Sequence, residues 1–149
     1  MKLVTIHAEN ITREYIYFNE PIQNNIINES RYIRILYSTP NIVFNGIHVL
    51  INLTIDNMER QYNKNILYYN IEKNTEAINS IKKIEKTILK KYNSFKNPSY
   101  NLSELLDGGV IRLFTDSIEK KKVLNIILKI SGLWEDDETY GVTYKFFSV

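Results

Sequence analysis

The sequence predicts an α+β fold that is mainly β, an antiparallel sheet accompanied by one long amphipathic helix. Three observations predict it. Two long C-terminal runs alternate apolar and polar side chains with period two. A central run, Ile47, Val49, Ile51, Leu53 and Ile55, keeps one face wholly apolar. A single stretch, Thr75–Asn93, switches to three-and-four spacing, the period of a helix.

In chain order, strands are expected at about Lys2–His7 and at Glu14–Phe18, and Asn19–Ser30, with Pro21 and several asparagines, reads as a loop. Tyr32–Ser38 is a strand with Tyr32, Arg34 and Leu36 on one side and Ile33, Ile35 and Tyr37 on the other, closed by a turn at Thr39-Pro40-Asn41. Asn45-Gly46 then signals either a two-residue hairpin or a bulge, since both residues tolerate positive φ. Asp56–Lys64 reads as polar connection and Asn65–Ile71 as a further strand.

The helix carries Ile78, Ile81, Ile84, Ile88, Leu89 and Tyr92 on one stripe. Asn74 or Thr75 can cap its start, and Glu76 suits the positive end of the dipole. Lys82, Lys83, Lys86, Lys90 and Lys91 occupy the outer face and C-terminal half, where a solvated, dipole-complementing role accounts for them. Phe95–Tyr100 is a loop, and a helical turn at Leu102–Leu106 ends at Asp107-Gly108-Gly109.

The last third contains three strands. After the one ending in Val110–Phe114 comes a basic turn, and then a hairpin. Lys122, Leu124, Ile126, Leu128 and Ile130 share one face of its first arm, and Val123, Asn125, Ile127 and Lys129 the other. Beyond an acidic tip, Glu135–Glu138, the return arm sets Tyr140, Val142, Tyr144 and Phe146 against Gly141, Thr143, Lys145 and Phe147. Strands before one helix and a hairpin after it suit an elaborated OB-like Greek-key barrel with extra N-terminal strands. The alternative is an open antiparallel sheet with a helix packed on it.

At 149 residues, with 44% hydrophobic and 24% charged residues, the chain suits one domain, 1–149. Isoleucine, asparagine, lysine and tyrosine make up nearly half of it, a bias that reports an AT-rich genome and lowers the weight of any single one of them. There is no cysteine, which excludes disulfides, thiolate catalysis and cysteine metal sites. No apolar run is long enough to span a bilayer and no signal-peptide core is seen, so a soluble, non-secreted, intracellular protein is expected.

Catalytic and metal signals are poor. His7 and His48 stand far apart, with no HExxH, EF-hand, GxSxG or Walker pattern, and His48 reads as a half-buried strand residue. The chain is expected to be neither an enzyme nor a cofactor carrier. A net charge of +2 is only mildly basic, so the placement of cations matters more than their number. Single strands are held by cations beside aromatic platforms, because every phosphate carries charge and every base a stackable face. With the aliphatic faces turned inward, Tyr32 and Arg34 leave one strand together, Arg112 and Phe114 another, and Lys129 and Lys145 emerge from the hairpin near Trp134. These seven residues are the candidate nucleic-acid-binding set.

The blocks YIRILYSTPNIVFNGIHVLINL, NLSELLDGGVIRLF and LKISGLWEDDETYGVTYKF resemble small proteins of large nucleocytoplasmic DNA viruses. The layout from Tyr32 onward is similar to their single-stranded DNA-binding proteins of OB-fold type, which are in turn similar to the replication-associated binders of T-odd phages. The resemblance implies a barrel that coats single-stranded DNA or RNA in viral-type replication, recombination or repair. It further implies partners among replication proteins or other copies of itself, no membrane, and a location in the host cytoplasm or a viral replication site. Phage-type binders carry an acidic tail with a terminal aromatic residue that recruits polymerase. Here Tyr144-Lys145-Phe146-Phe147-Ser148-Val149 has no acidic run, a departure that leaves tail-mediated recruitment without a counterpart. The competing expectation is a non-enzymatic viral structural or assembly protein that meets protein partners through its sheet face, where exposed aromatics mark interfaces.

Overall fold

The computed structural model describes residues 5–23, 30–114 and 121–149. Within them, β1 (Ile6–His7), β2 (Ile16–Phe18), β3 (Ile22–Gln23), β4 (Arg31–Ser38), β5 (Val43–Asn45), β6 (Ile47–Thr54), β7 (Asn57–Gln61) and β8 (Lys64–Tyr68) precede the helix α1 (Thr75–Tyr92). After it come β9 (Asn97–Pro98), α2 (Asn101–Asp107), β10 (Val110–Leu113), β11 (Val123–Glu135) and β12 (Thr139–Ser148). The architecture is mixed α and β, mainly strand, with one long helix against an open sheet ordered β1-β6-β11-β12-β10-β8-β7.

The longest strand, β11, is paired on both edges. Along one it runs antiparallel to β12, from Ile126↔Ser148 to Glu135↔Tyr140. Along the other its first half takes β6, from Val123↔Thr54 to Ile130↔Ile47, and its second half takes β4, from Gly132↔Arg34 to Glu135↔Arg31. A register shift between Ile130 and Gly132 separates the halves. There β4 bends away, and its C-terminal half joins β2 and β5 in a small second sheet.

Two glycines permit that corner. Gly46, at φ +92°, sits between β5 and β6 and sends its N–H to the Ile35 carbonyl. A Cβ on Gly132 would stand 2.3 Å from the Ile33 carbonyl oxygen and 2.7 Å from the Tyr32 ring. The Asn45-Gly46 signal is therefore a kink between strands, and the hairpin turn falls at Thr39–Ile42 instead, where Thr39 N–H donates to the Ile42 carbonyl.

The core lies between the inward sheet face and the helices. Ile33, Ile35, Ile47, Val49, Leu53, Leu128, Ile130, Leu133 and Val142 are buried on the sheet side, and Ile78, Ile81, Ile84, Ile88 and Leu89 on the helix side. Each such aliphatic residue contributes about 1.5–3 kcal/mol relative to exposure. Tyr37, 2% exposed, anchors the N-terminal segment. Its hydroxyl accepts from Thr12 N–H at 2.9 Å and reaches the Asn10 carbonyl at 3.3 Å, and its ring meets Tyr15 edge-on.

Several local expectations change. Lys2–His7 is described only from Thr5, and its strand is the two residues of β1; Glu14 lies in a 3₁₀ turn ahead of β2. The Asn19–Ser30 loop contains β3, while residues 24–29, and the basic turn at residues 115–120, lie outside the described residues. The polar connection after Ile55 is largely β7, the edge strand of a hairpin whose turn places Tyr62 at φ +52°. Its side chains alternate little in hydropathy because neither face of an edge strand here is deeply covered. The strand after it ends at Tyr68, and the chain from Glu72 coils into a 3₁₀ turn that runs into α1.

Neither Asn74 nor Thr75 caps α1 through its side chain. The Asn74 amide instead accepts from Thr54 N–H at 2.8 Å and donates to the carbonyls of Thr54 and Asn70 at 3.0 and 2.9 Å. Satisfying the part-buried end of β6 outweighs capping a helix end that water can reach.

A buried acid joins the two helices. Glu85, wholly buried on α1, accepts from the N–H groups of Leu102 and Ser103 at 2.9 and 3.0 Å and from the Ser103 hydroxyl. It caps α2 from another element, placing negative charge at the positive end of that short helix. Glu135, expected at a solvated tip, is likewise buried: it pairs Arg31 at 3.1 Å and Lys96 at 3.5 Å and accepts from Ser94 Oγ at 3.0 Å. The exposed part of that turn is held by Asp136, whose Oδ1 accepts from Glu138 and Thr139 N–H. The Thr139 and Glu138 amides hold its carboxyl below the usual range.

Two substitutions test this frame by urea denaturation. Gly132→Ala is expected to lower stability by about 1–3 kcal/mol through overpacking at the crossing of β11 and β4. Glu85→Leu is expected to lose about 2 kcal/mol or more, because the start of α2 keeps buried donors with no acceptor, and Glu85→Gln less. A Glu85→Leu protein as stable as the parent would remove the carboxylate from its capping role.

Candidate nucleic-acid interface

The sheet face turned away from the helices collects the cations. Inward-facing Leu128, Ile130, Val142 and Phe146 are buried, which directs Lys129, Thr143, Lys145 and Phe147 outward, beside Ile127, which is itself buried. Lys129 and Lys145 are directly opposite each other across β11 and β12, and His48 of β6 is opposite Lys129 on its other side. Three basic side chains thus form a row across three strands. Of these, Lys129 and Lys145 are like charges directly opposed in an antiparallel sheet, an unfavourable arrangement.

The row continues toward β10. Lys145 Nζ lies 4.5 Å from the Phe114 ring centroid and 5.4 Å from that of Phe147, and Lys64 Nζ approaches Phe114 from β8 at 5.1 Å. Phe114 keeps 38% of its surface exposed. Arg112 leaves β10 on the same side and is exposed. Among the described residues Lys64, Arg112, Lys129 and Lys145 form no ion pair; the salt bridges seen belong to Arg31, Lys73, Lys82 and Lys96.

A cleft opens within this group. The ladder between β10 and β12 is the single pair Leu113↔Phe146, and N-terminal to it the strands diverge around α2. The resulting cleft, ≈ 500 Å³, is lined by Lys64, Arg112 and Lys145, by Phe114, Tyr144 and Phe146, and by Glu104, Leu105, Gly108 and Val110. Burial, and then the nearby Glu85 carboxylate, push the Tyr144 phenol above its ordinary value.

The seven predicted residues therefore divide. Arg112, Phe114 and Lys145 meet at the cleft, with Lys129 as the cross-strand neighbour of Lys145. Tyr32, Arg34 and Trp134 gather at the far end of β11, where Trp134 is opposite Tyr32 on one side and Gly141 on the other. Both rings lie low on the sheet. A Cβ on Gly141 would stand 2.7 Å from Trp134, as one on Gly132 would from Tyr32. Arg34 reaches Asn45 Oδ1 at 3.4 Å.

Sequence reasoning missed Lys64 and Tyr144 as members of the group. Lys64 was read as the end of a polar connection, although the alternation from Lys64 through Ile66 to Tyr68 puts it on the face of Arg112. Tyr144 belongs to the inward face of β12, and only the divergence of β10 uncovers it. The helix lysines take other roles: Lys82 pairs Asp107 at 2.6 Å, and Lys91 donates to the Arg13 carbonyl.

Among the described residues no group of three or more His, Asp or Glu could hold a metal ion, and no helix is long and apolar enough to cross a membrane. Comparison with protein-family models, with curated proteins and with solved structures returns no match to this chain.

The basic row makes stability depend on pH in a defined direction. Burial, and secondarily Lys129, lower the His48 pKa below its ordinary 6.5. Between the folded and unfolded values the unfolded chain binds more protons, so this contribution is complete above pH 6.5 and is lost as the pH falls through the folded value. Melting temperatures measured from about pH 7.5 to 5.5 should fall less in His48→Asn than in the parent. Equal slopes would remove His48 from the account.

Proposed function

We propose that the protein binds single-stranded nucleic acid across the outward sheet face, in the service of viral-type DNA replication, recombination or repair. The observation that carries the reading is the basic row of Lys129, Lys145, Lys64 and Arg112, which forms no ion pair among the described residues and is interleaved with Phe114 and Phe147. Charge without carboxylate partners attracts a polyanion, and partly exposed rings beside it offer bases a stacking surface. Tyr32, Arg34 and Trp134 extend the same face along β11, a path for a strand longer than one nucleotide. A duplex has its bases stacked internally and would meet the cations alone.

The OB-like description of the sheet is part of the same proposal. Its supports are the long bulged strand β11, paired to different strands in its two halves, and the helix standing between two groups of strands. A second reading, assembly with protein partners, is favoured by Ile42 and Val43, 48% and 62% exposed beside and on β5. Those residues belong to the small second sheet.

Fluorescence anisotropy of labelled single-stranded and duplex oligonucleotides over a salt series tests the reading. Salt-sensitive binding that prefers single strands is expected. Lys129→Ala, Lys145→Ala and Arg112→Ala should each weaken binding across sequences and lower the salt slope by about one. Trp134→Ala or Tyr32→Ala should cost about 1–3 kcal/mol of affinity where the ring stacks a base. Absence of binding at low salt would discard the proposal in favour of the protein-partner reading.

A further inference from the structure

The cleft between β10 and β12 differs from the rest of the face in being concave and chemically mixed. On one wall Phe114 presents a ring that is only partly covered, with Lys145 and Lys64 both within about 5 Å of its centroid and Arg112 beside them. Two ammonium groups converge on one ring, and among the described residues neither forms an ion pair, which leaves charge for an anionic group. Tyr144 also lines the cleft, and the volume of ≈ 500 Å³ is in the range of small-ligand sites.

The cleft also offers polar groups suited to a base edge. Along β12 the carbonyls of Tyr140, Val142 and Phe146 accept from Ser99 N–H, Asn101 Nδ2 and Phe114 N–H, all on the side away from β11. Period-two alternation directs the Tyr144 carbonyl to that same side, at the place where β10 has diverged. Glu104 also lines the cleft and adds a carboxylate to it. A cleft that offers both acceptors and cations matches a nucleotide, whose base carries donors and whose phosphate carries negative charge.

We propose that this cleft is a pocket for one nucleotide, holding a base against Phe114 and its phosphate among Lys64, Arg112 and Lys145. The inference rests on the single-strand reading and deepens it: most of a bound strand lies along the open face, and one nucleotide turns into the cleft. An aromatic wall and cations at one end of a concave site discriminate a nucleotide from a bare phosphate, which a flat basic surface does not do.

The test uses the full chain and chemical-shift perturbation with thymidine and adenosine 5′-monophosphates titrated to millimolar concentration, with inorganic phosphate as the comparison. Nucleotides are expected to bind about tenfold or more tightly than phosphate, and Phe114→Ala to abolish that preference while leaving phosphate binding unchanged. Lys64→Ala should weaken nucleotide and phosphate alike, and Lys129→Ala, outside the cleft, neither. Equal affinity for phosphate and nucleotide, or a preference indifferent to Phe114→Ala, would overturn the pocket. Oligonucleotide binding without mononucleotide binding would overturn the pocket and leave the single-strand reading standing. Mononucleotide binding without oligonucleotide binding would keep the pocket and sink the strand-binding reading.

Discussion

The hydrogen-bonded register of β11 is the constraint on which the rest of the molecule depends. Thirteen residues long, the strand gives one edge to β12 and divides the other between β6 and β4. Because a strand alternates faces with period two, an unbroken register would have brought one half of β11 to the core with the wrong side chains. The irregularity at Ser131-Gly132 resets the alternation, so that Ile126, Leu128 and Ile130 before it and Leu133 after it are all buried. Gly132 lets β4 and the Tyr32 ring approach at that point, and Gly46 turns the chain from the small sheet into β6.

That register also arranges charge. It sets Lys129 between Lys145 and His48 on the outward face, and Glu135 beside Arg31 at the strand's end. The two arrangements have opposite electrostatic sense. Glu135 is buried, and two cations and a hydroxyl compensate it, as burial of a carboxylate requires. The outward row forms no ion pair among the described residues and faces solvent, where screening makes repulsion tolerable. Buried Glu135 beside an outward run of cations that form no ion pair among the described residues is the physical basis for the proposed nucleic-acid reading.

Much of this was legible in the chain. The strands containing Tyr32–Ser38 and Ile47–Thr54, the hairpin arms and the helix from Thr75 all follow from hydrophobic periodicity, since each packs one face on the core. The inward and outward assignments within β4, β11 and β12 follow for the same reason. Less legible were elements whose form is set by partners. β7 has no buried stripe and exists because β8 offers it a ladder. Glu85 stands within the apolar stripe of α1, four residues after Ile81 and four before Leu89, a position that marks it as buried; its partner, the start of α2, is not local. Asn74 reads as a helix cap and serves a strand end instead, because the nearby Thr54 backbone is the more deeply covered claimant.

The order of residues along the chain dictates the secondary structure of the long elements and which side chains leave each strand together, because these depend on short-range alternation and on burial of apolar area. It therefore determined that Arg112 travels with Phe114, and Tyr32 with Arg34. Which strands are neighbours, and so which of these pairs meet, is set by long-range packing. Strand order placed Lys145 between Lys129 and Phe114, brought Lys64 in from a hairpin that periodicity did not mark, and separated Tyr32, Arg34 and Trp134 from the rest. The cleft itself is a property of two strands that pair at one position and then diverge around a helix. Such a separation arises from long-range packing, and no local pattern of residues encodes it.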